Sequence, residues 1–219
     1  MNAEYMKLLL KKPELFRNSE EKESIRIITD PEEIKKIERD LGKEAGILFE
    51  NEYIMLIRDV VIFPDESKGT YIRIIPQEDK NAVVVLPVSA GKILLMRHYR
   101  HSLRESLWEI PRGFGEYGLT REQNAAKELR EETGISDVEF VFLGKVCSDS
   151  GLSSASASVY LAKTASIYEF KKLDKIETID EYRLVSQEEL KKLACAGELK
   201  DGFTLSAIAL AWLSGKLET

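Results

Sequence analysis

Seven consecutive apolar residues, Ala82–Val88, constrain this chain more than any other stretch. The run is rich in valine, whose branched Cβ suits a strand, and it has no polar alternate position to turn toward water. A strand of this kind is covered on both faces, so helices must lie on each side of the sheet that contains it. Further strands are predicted at Tyr53–Phe63, Thr70–Ile75, Ile93–Arg97, Val138–Leu143, Ala155–Ala162 and Tyr182–Val185. The first two read as a hairpin around the turn Pro64–Gly69.

Helices are predicted at Met1–Leu10, Glu32–Leu41, Gln187–Ala194 and Phe203–Leu213. Thr29-Asp30-Pro31 opens the second of these with a cap and a first-turn proline, and Gly42 ends it. Strands and helices mix without strict βαβ alternation. The chain is therefore read as α/β (α+β), a sheet covered by helices. Three regions follow: a charged, partly helical extension over 1–50, a β-hairpin region over 51–80 and a main domain over 81–219. The composition of the first 45 residues fits a solvated helical cover as well as an interaction element.

The net charge of −6 argues against a surface that coats nucleic acid, and a chain this acidic must neutralise any phosphate locally, by metal or by a few arginines. Cys147 and Cys195 lie far apart and form no CxxC, which suggests a reduced compartment and two buried, apolar thiols. The longest apolar stretches, Ala82–Val88 and Phe203–Leu213, are well short of the ~20 residues that span a bilayer. Leu8–Leu10 is too brief for a secretory signal. The expectation is a cytoplasmic protein with no membrane and no nucleic-acid partner.

The segment Pro111–Gly118 is rich in glycine and opens into a strongly signalled helix. Thr120 and Gln123 form a capping box, and Gly134 stands at the C′ position. Within it Glu128, Glu131 and Glu132 stand at i, i+3 and i+4, sharing an arc of roughly 100°. Ala126, Leu129 and Thr133 form the flank expected to pack on a sheet. Clustered carboxylates repel by a few tenths of a kcal/mol per exposed pair. A divalent cation reverses that sign, because hard oxygen donors suit Mg²⁺ or Mn²⁺. Taken alone, such a face is equally a solvated one.

The surrounding residues resemble the signature of the Nudix family: Gly, five residues, Glu, seven residues, then Arg-Glu-apolar-x-Glu-Glu-x-Gly-apolar. Gly113, Glu128, Leu129, Glu131, Glu132, Gly134 and Ile135 fall at the required spacings. Leu119 stands where the first Glu belongs and Lys127 where the Arg belongs, as if a supporting salt bridge had been discarded. Arg58–Pro64, Arg97-His98-Tyr99-Arg100 and Trp108-Glu109-Ile110-Pro111 are similar to segments of the ADP-ribose pyrophosphatase branch, over roughly residues 53 to 213. Ser148–Leu152 matches a loop of that branch, with no acidic residue after it.

The resemblance implies an α/β/α sandwich with a mixed sheet, preceded by a helical and β N-terminal extension. It implies Mg²⁺, with Mn²⁺ as a substitute, and hydrolysis of the pyrophosphate bond in a nucleoside diphosphate derivative. ADP-ribose or a nucleotide sugar is the leading substrate, yielding AMP and a sugar phosphate. NADH, a dinucleoside polyphosphate, a coenzyme A derivative and a non-catalytic nucleotide sensor stay open beside it. Carried over, Glu128, Glu131, Glu132 and the backbone carbonyl of Arg112 are metal ligands, and Glu131, Glu177 and Glu181 are catalytic candidates. The last two are read in a charged loop near 170–182, with Glu177 preferred as base. Arg97, Arg100 and Arg112 are candidates for the diphosphate, since the guanidinium fork suits phosphate oxygens. Arg58 is a candidate to reach substrate across a homodimer. Tyr99 or Trp108 could stack on a base but both are read as core, and His98 and His101 as structural or solvent-facing.

Overall fold

The computed structural model describes residues 2–77, 81–165 and 178–217. The chain divides into two compact units, Met1–Glu78 with Asp149–Ala155, and Asp79–Ser148 with Ser156–Thr219.

The first unit is built on an antiparallel sheet of four strands: β1 (Arg26–Ile27), β2 (Gly46–Glu50), β3 (Ile54–Ile62) and β4 (Lys68–Pro76). β3 is central, with β4 along one edge and β1 and β2 sharing the other. Two helices, α1 (Ala3–Lys11) and α2 (Pro31–Leu41), contribute Tyr5, Ile34 and Ile37 to a core with Met55, Ile57, Val60 and Ile75. Asp30 caps α2 and Gly42 ends it in the left-handed region at φ 64°, as the sequence signals. The charged N-terminal stretch is thus a cover with an apolar underside.

A buried polar group fixes that cover. The Tyr5 hydroxyl donates to Asp59 Oδ1 at 2.6 Å, and Arg73 Nε donates to Asp59 Oδ2 at 2.6 Å. Burial, reinforced by the Asp59 charge and hydrogen bond, pushes the Tyr5 hydroxyl far above its ordinary pKa. Residues 149–155 join this unit through β4: Ile74 N–H donates to the Leu152 carbonyl at 2.8 Å, and the Tyr71 hydroxyl donates to the Gly151 carbonyl at 2.6 Å.

The second unit holds a mixed sheet. Its main path runs β11 (Ile179–Val185), β6 (Lys92–Arg100), β5 (Val83–Ser89), β10 (Ser156–Lys163), β9 (Glu139–Cys147). β5 and β10 are parallel and the other pairs antiparallel. β5 is buried almost throughout, as its all-apolar run requires. On one face α3 (Arg121–Thr133) packs Ala125 and Leu129 against Val83, Val85, Tyr160 and Ala162. On the other, α4 (Gln187–Cys195) and α5 (Gly202–Leu213) pack Leu190, Leu193, Ala207, Ile208 and Ala211 against Val84, Leu86, Leu95, Val159 and Leu161. This is the expected α/β/α sandwich. Trp108 lies against the second of these cores, as read.

One departure from regularity makes room for a site. β5 and β6 pair only at Val88↔Ile93 and Ser89↔Lys92. Beyond that, β6 pairs with β7 (Glu105–Glu109) and β5 with β8 (Arg112–Gly113). The segment Glu109–Gly113 is therefore suspended between two diverging strands.

The fold departs from the sequence pattern at three points. Both cysteines are exposed, one at the last residue of β9 and one at the last of α4, where neighbours on one side are missing. Ala126 is exposed and Ala125 buried, so the packed flank of α3 is Ala125, Leu129 and Thr133. Glu181 lies on β11 instead of in a loop, while Glu177 lies outside the described residues.

Candidate active site on the acidic helix

The capping box at Thr120 is complete, with Gln123 N–H donating to Thr120 Oγ1 and Thr120 N–H to Gln123 Oε1. It starts α3 at a fixed residue, and that sets the rotation at which each carboxylate emerges. Glu128 lies over Gly113 so closely that a Cβ there would sit 2.2 Å from its carboxylate carbon. Glu132 is only 2% exposed, and its Oε2 accepts from the Arg112 N–H at 3.2 Å. The Tyr182 hydroxyl donates to the Glu132 carbonyl, tying α3 to β11. Two carboxylates are thus seated on the Arg112–Gly113 backbone.

Glu131 is held differently. Lys127 Nζ lies 2.6 Å from Glu131 Oε2, 3.3 Å from Glu116 Oε1 and 4.0 Å from Glu128 Oε1. Burial pulls the Lys127 pKa down, but the hydrogen bond to Glu131, the Glu128 charge and Glu116 outweigh it and hold the ammonium above its usual range. Lys127 thus pairs with Glu131 and with Glu116, which stands three residues before Leu119. Glu116 is fixed by its own N–H, which donates to Oδ1 of the buried Asn124 at 2.9 Å. The Leu119 carbonyl accepts from Asn81 Nδ2 at 3.2 Å.

With Glu131 drawn to Lys127, no three His, Cys, Asp or Glu side chains among the described residues gather around one point. The donor set still fits a hard divalent cation. A carboxylate approaches backbone that only glycine leaves open, a second is anchored beside it, and a third accepts from the Lys127 ammonium.

The arginines gather on a residue that sequence reasoning passed over. Glu109 is fully buried, and its carboxylate accepts from Arg100 Nε at 3.0 Å and from Arg100 Nη2. Arg112 Nη2 lies 3.4 Å from Glu109 Oε2, which Arg100 Nε also contacts, and His98 Nδ1 lies 3.0 Å from Oε1. Burial raises the Glu109 pKa, but His98, Arg100 and the Arg112 charge overcome that and leave it below the usual carboxylate range. Its signal was a lone acid in the apolar run Leu107-Trp108-Glu109-Ile110.

Arg112 also lies 3.3 Å from Asp201 and over the Phe203 ring at 5.0 Å. Asp201 caps α5 through Thr204, whose hydroxyl accepts from the Ile110 N–H at 3.1 Å. The Arg112 side chain thus anchors the backbone that seats Glu128 and Glu132.

The remaining candidates stand apart. Arg97 is exposed on β6, cross-strand from Glu181. His98 is buried, and His101 pairs with Arg104. Arg58 lies on β3 in the first unit and donates to the Glu44 carbonyl at 3.2 Å.

The second unit is thus a mixed sheet between helices, with carboxylates of one helix seated on a glycine-bearing strand end. Residues 78–204 match the sequence profile of the NUDIX domain. The chain is 31% identical over 183 residues to the ADP-ribose pyrophosphatase of Bacillus subtilis (strain 168), covering 83% of this chain and 96% of that protein. It is 32% identical over 108 residues to the ADP-ribose pyrophosphatase of Mycobacterium tuberculosis (strain ATCC 25618 / H37Rv), 49% of this chain and 51% of the other. Against the methanol dehydrogenase activator of Bacillus methanolicus it is 30% identical over 148 residues, 66% of this chain and 77% of that one. A crystal structure of an ADP compounds hydrolase shares the fold with a TM-score of 0.66 at 18% identity, over 79% of this chain and 93% of that one. The chain belongs to the Nudix family of hydrolases.

Proposed function

We propose that this hydrolase cleaves the diphosphate linkage of ADP-ribose or a related nucleotide sugar, giving AMP and a sugar phosphate. The observation that carries the reaction class is the seating of Glu128 and Glu132 on the Arg112–Gly113 backbone. The likeness to an ADP-ribose pyrophosphatase over nearly its whole length favours this substrate over the other diphosphates.

Glu128, Glu132 and the Arg112 carbonyl are the groups assigned to hold Mg²⁺, with Glu131 as a further ligand. When bound, the ion neutralises the diphosphate and makes water easier to deprotonate. The chain's own residues do the rest. A water oxygen bonds to one phosphorus, the bridging P–O bond breaks, and the bridging oxygen leaves on the other phosphate. A carboxylate accepts the water proton, and Glu177, Glu181 and Glu131 are the candidates. Arg97, Arg100 and Arg112 are assigned to the phosphate oxygens, and Arg58 is assigned to reach substrate across a homodimer. Arg100 commits Nε and Nη2 to Glu109, which leaves Nη1 as its third nitrogen.

The test is AMP release from a panel of ADP-ribose, ADP-sugars, NADH and diadenosine polyphosphates, with Mg²⁺ and with EDTA. ADP-ribose is expected to be hydrolysed fastest, and only with metal. Glu128→Gln is expected to lower kcat about a thousandfold while the chain stays folded. Binding of ADP-ribose by calorimetry without turnover of any compound would refute the enzymatic reading. A homodimer belongs to the same proposal, and a monomer mass by light scattering would remove it.

A further inference from the structure

Lys127 faces three carboxylates, and they differ in what they are free to do. Glu128 is packed against Gly113 and, at 15% exposed, is the least accessible of the three. Glu131 and Glu116 are 38% and 58% exposed, and both hold the ammonium. Glu116 sits halfway along the loop from Gly113 to Leu119, and its backbone is already stitched to α3 through Asn124. Its side chain therefore offers Lys127 a second carboxylate close to the first, on a loop tied to α3.

A divalent cation on Glu128 and Glu131 needs two things of Lys127. The ammonium must release Glu131, and its charge, 4.0 Å from Glu128, must be offset by another anion. Glu116 meets both needs. We propose that Glu116 and Lys127 form a positioning pair that hands Glu131 to an incoming divalent cation: Lys127 holds Glu131 in the metal-free protein and settles on Glu116 when metal binds. The pair stands in for the Glu and Arg that the family signature puts at 119 and 127. The inference rests on Glu128 and Glu131 as ligands, not on the identity of the substrate.

The two partners then have opposite effects on metal affinity. Lys127→Met removes a competing, repelling cation, and Mn²⁺ binding is expected to tighten about fivefold, the order of effect that one charge exerts through solvent at this range. Glu116→Gln takes away the alternative seat, so Lys127 stays on Glu131 and Mn²⁺ binding is expected to weaken about threefold. The double variant is expected to match Lys127→Met, because Glu116 acts only through the lysine. Lys127→Arg keeps the charge and is expected to bind Mn²⁺ like the unaltered chain.

Calorimetric titration of the full chain with Mn²⁺ reads all four without substrate, and thermal melts confirm folding. Glu116 is mostly exposed, so its variant folds even where Lys127→Met does not. Shifts of the same sign, no shift for Glu116→Gln, or no Mn²⁺ binding by the unaltered chain would overturn the proposal. Opposite shifts in a chain that leaves ADP-ribose intact would uphold the pair and reject the substrate.

Discussion

Gly113→Ala separates the fold from the chemistry more cleanly than any other single change in this chain. Gly113 has no positive φ, so alanine meets no backbone penalty. Its β8 pairing with Val83 is made by main-chain atoms and survives the substitution. The added Cβ, however, would lie 2.2 Å from Glu128 Cδ and 2.3 and 2.4 Å from its oxygens, where ordinary contact begins at 3.4 Å. The carboxylate must therefore retreat by more than 1 Å, which a side-chain end can do at little cost. Stability is expected to change by less than about 1 kcal/mol, with a small gain from the stiffer unfolded chain. A displacement of 1 Å at a catalytic ligand costs on the order of a hundredfold in rate. The assay is kcat/KM for ADP-ribose with Mg²⁺, paired with a urea melt and Mn²⁺ calorimetry. Near-normal activity in a normally folded variant would refute the seating of Glu128 on Gly113 as functional. A large loss of stability would refute the claim that only the carboxylate yields.

Glu109→Gln leaves Arg100 and Arg112 without their shared anion and is expected to cost about 3 kcal/mol in urea unfolding. Because the folded Glu109 pKa lies below its ordinary value, this stabilisation is complete above about pH 4.5 and drains away as pH falls through the lower, folded value. Acid melts of the variant are expected to be flatter over that window than those of the unaltered chain. Tyr5→Phe removes the hydroxyl from Asp59 and is expected to destabilise the first unit by about 2 kcal/mol, read by denaturant titration. Thr120→Ala opens the capping box of α3 at a cost of about 1 kcal/mol, and the same titration checks it.

What the sequence determined alone is what short-range chemistry encodes. Ala82–Val88 demanded cover on both faces and receives it. Asp30 with Gly42, and Thr120 with Gly134, marked two helices because a cap acts on backbone groups within one turn of itself. The spacing of Glu128, Glu131 and Glu132 put three carboxylates on one arc by helical geometry. Other features were illegible for matching reasons. β1, β2 and β7 are short and exist through their pairing partners, so no period announces them. The rotation of α3 that buries Ala125 in place of Ala126 is set by the sheet beneath it. Asp149–Ala155 joins the first unit through β4, about 80 residues earlier in the chain, as a loop tied by main-chain hydrogen bonds. The partners of charged side chains were hidden most of all. Tyr5 finds Asp59 across 54 residues, and Ile110 finds Thr204 across 94. Glu109 gathers two arginines and a histidine that spacing alone does not join. Even Glu116, eleven residues from Lys127, becomes its partner only because Asn124 pins the glycine-rich loop back onto the helix. Caps and periods are written in neighbouring residues, whereas a buried charge is satisfied by whichever group the folded chain brings to it, and only the tertiary structure decides which group that is.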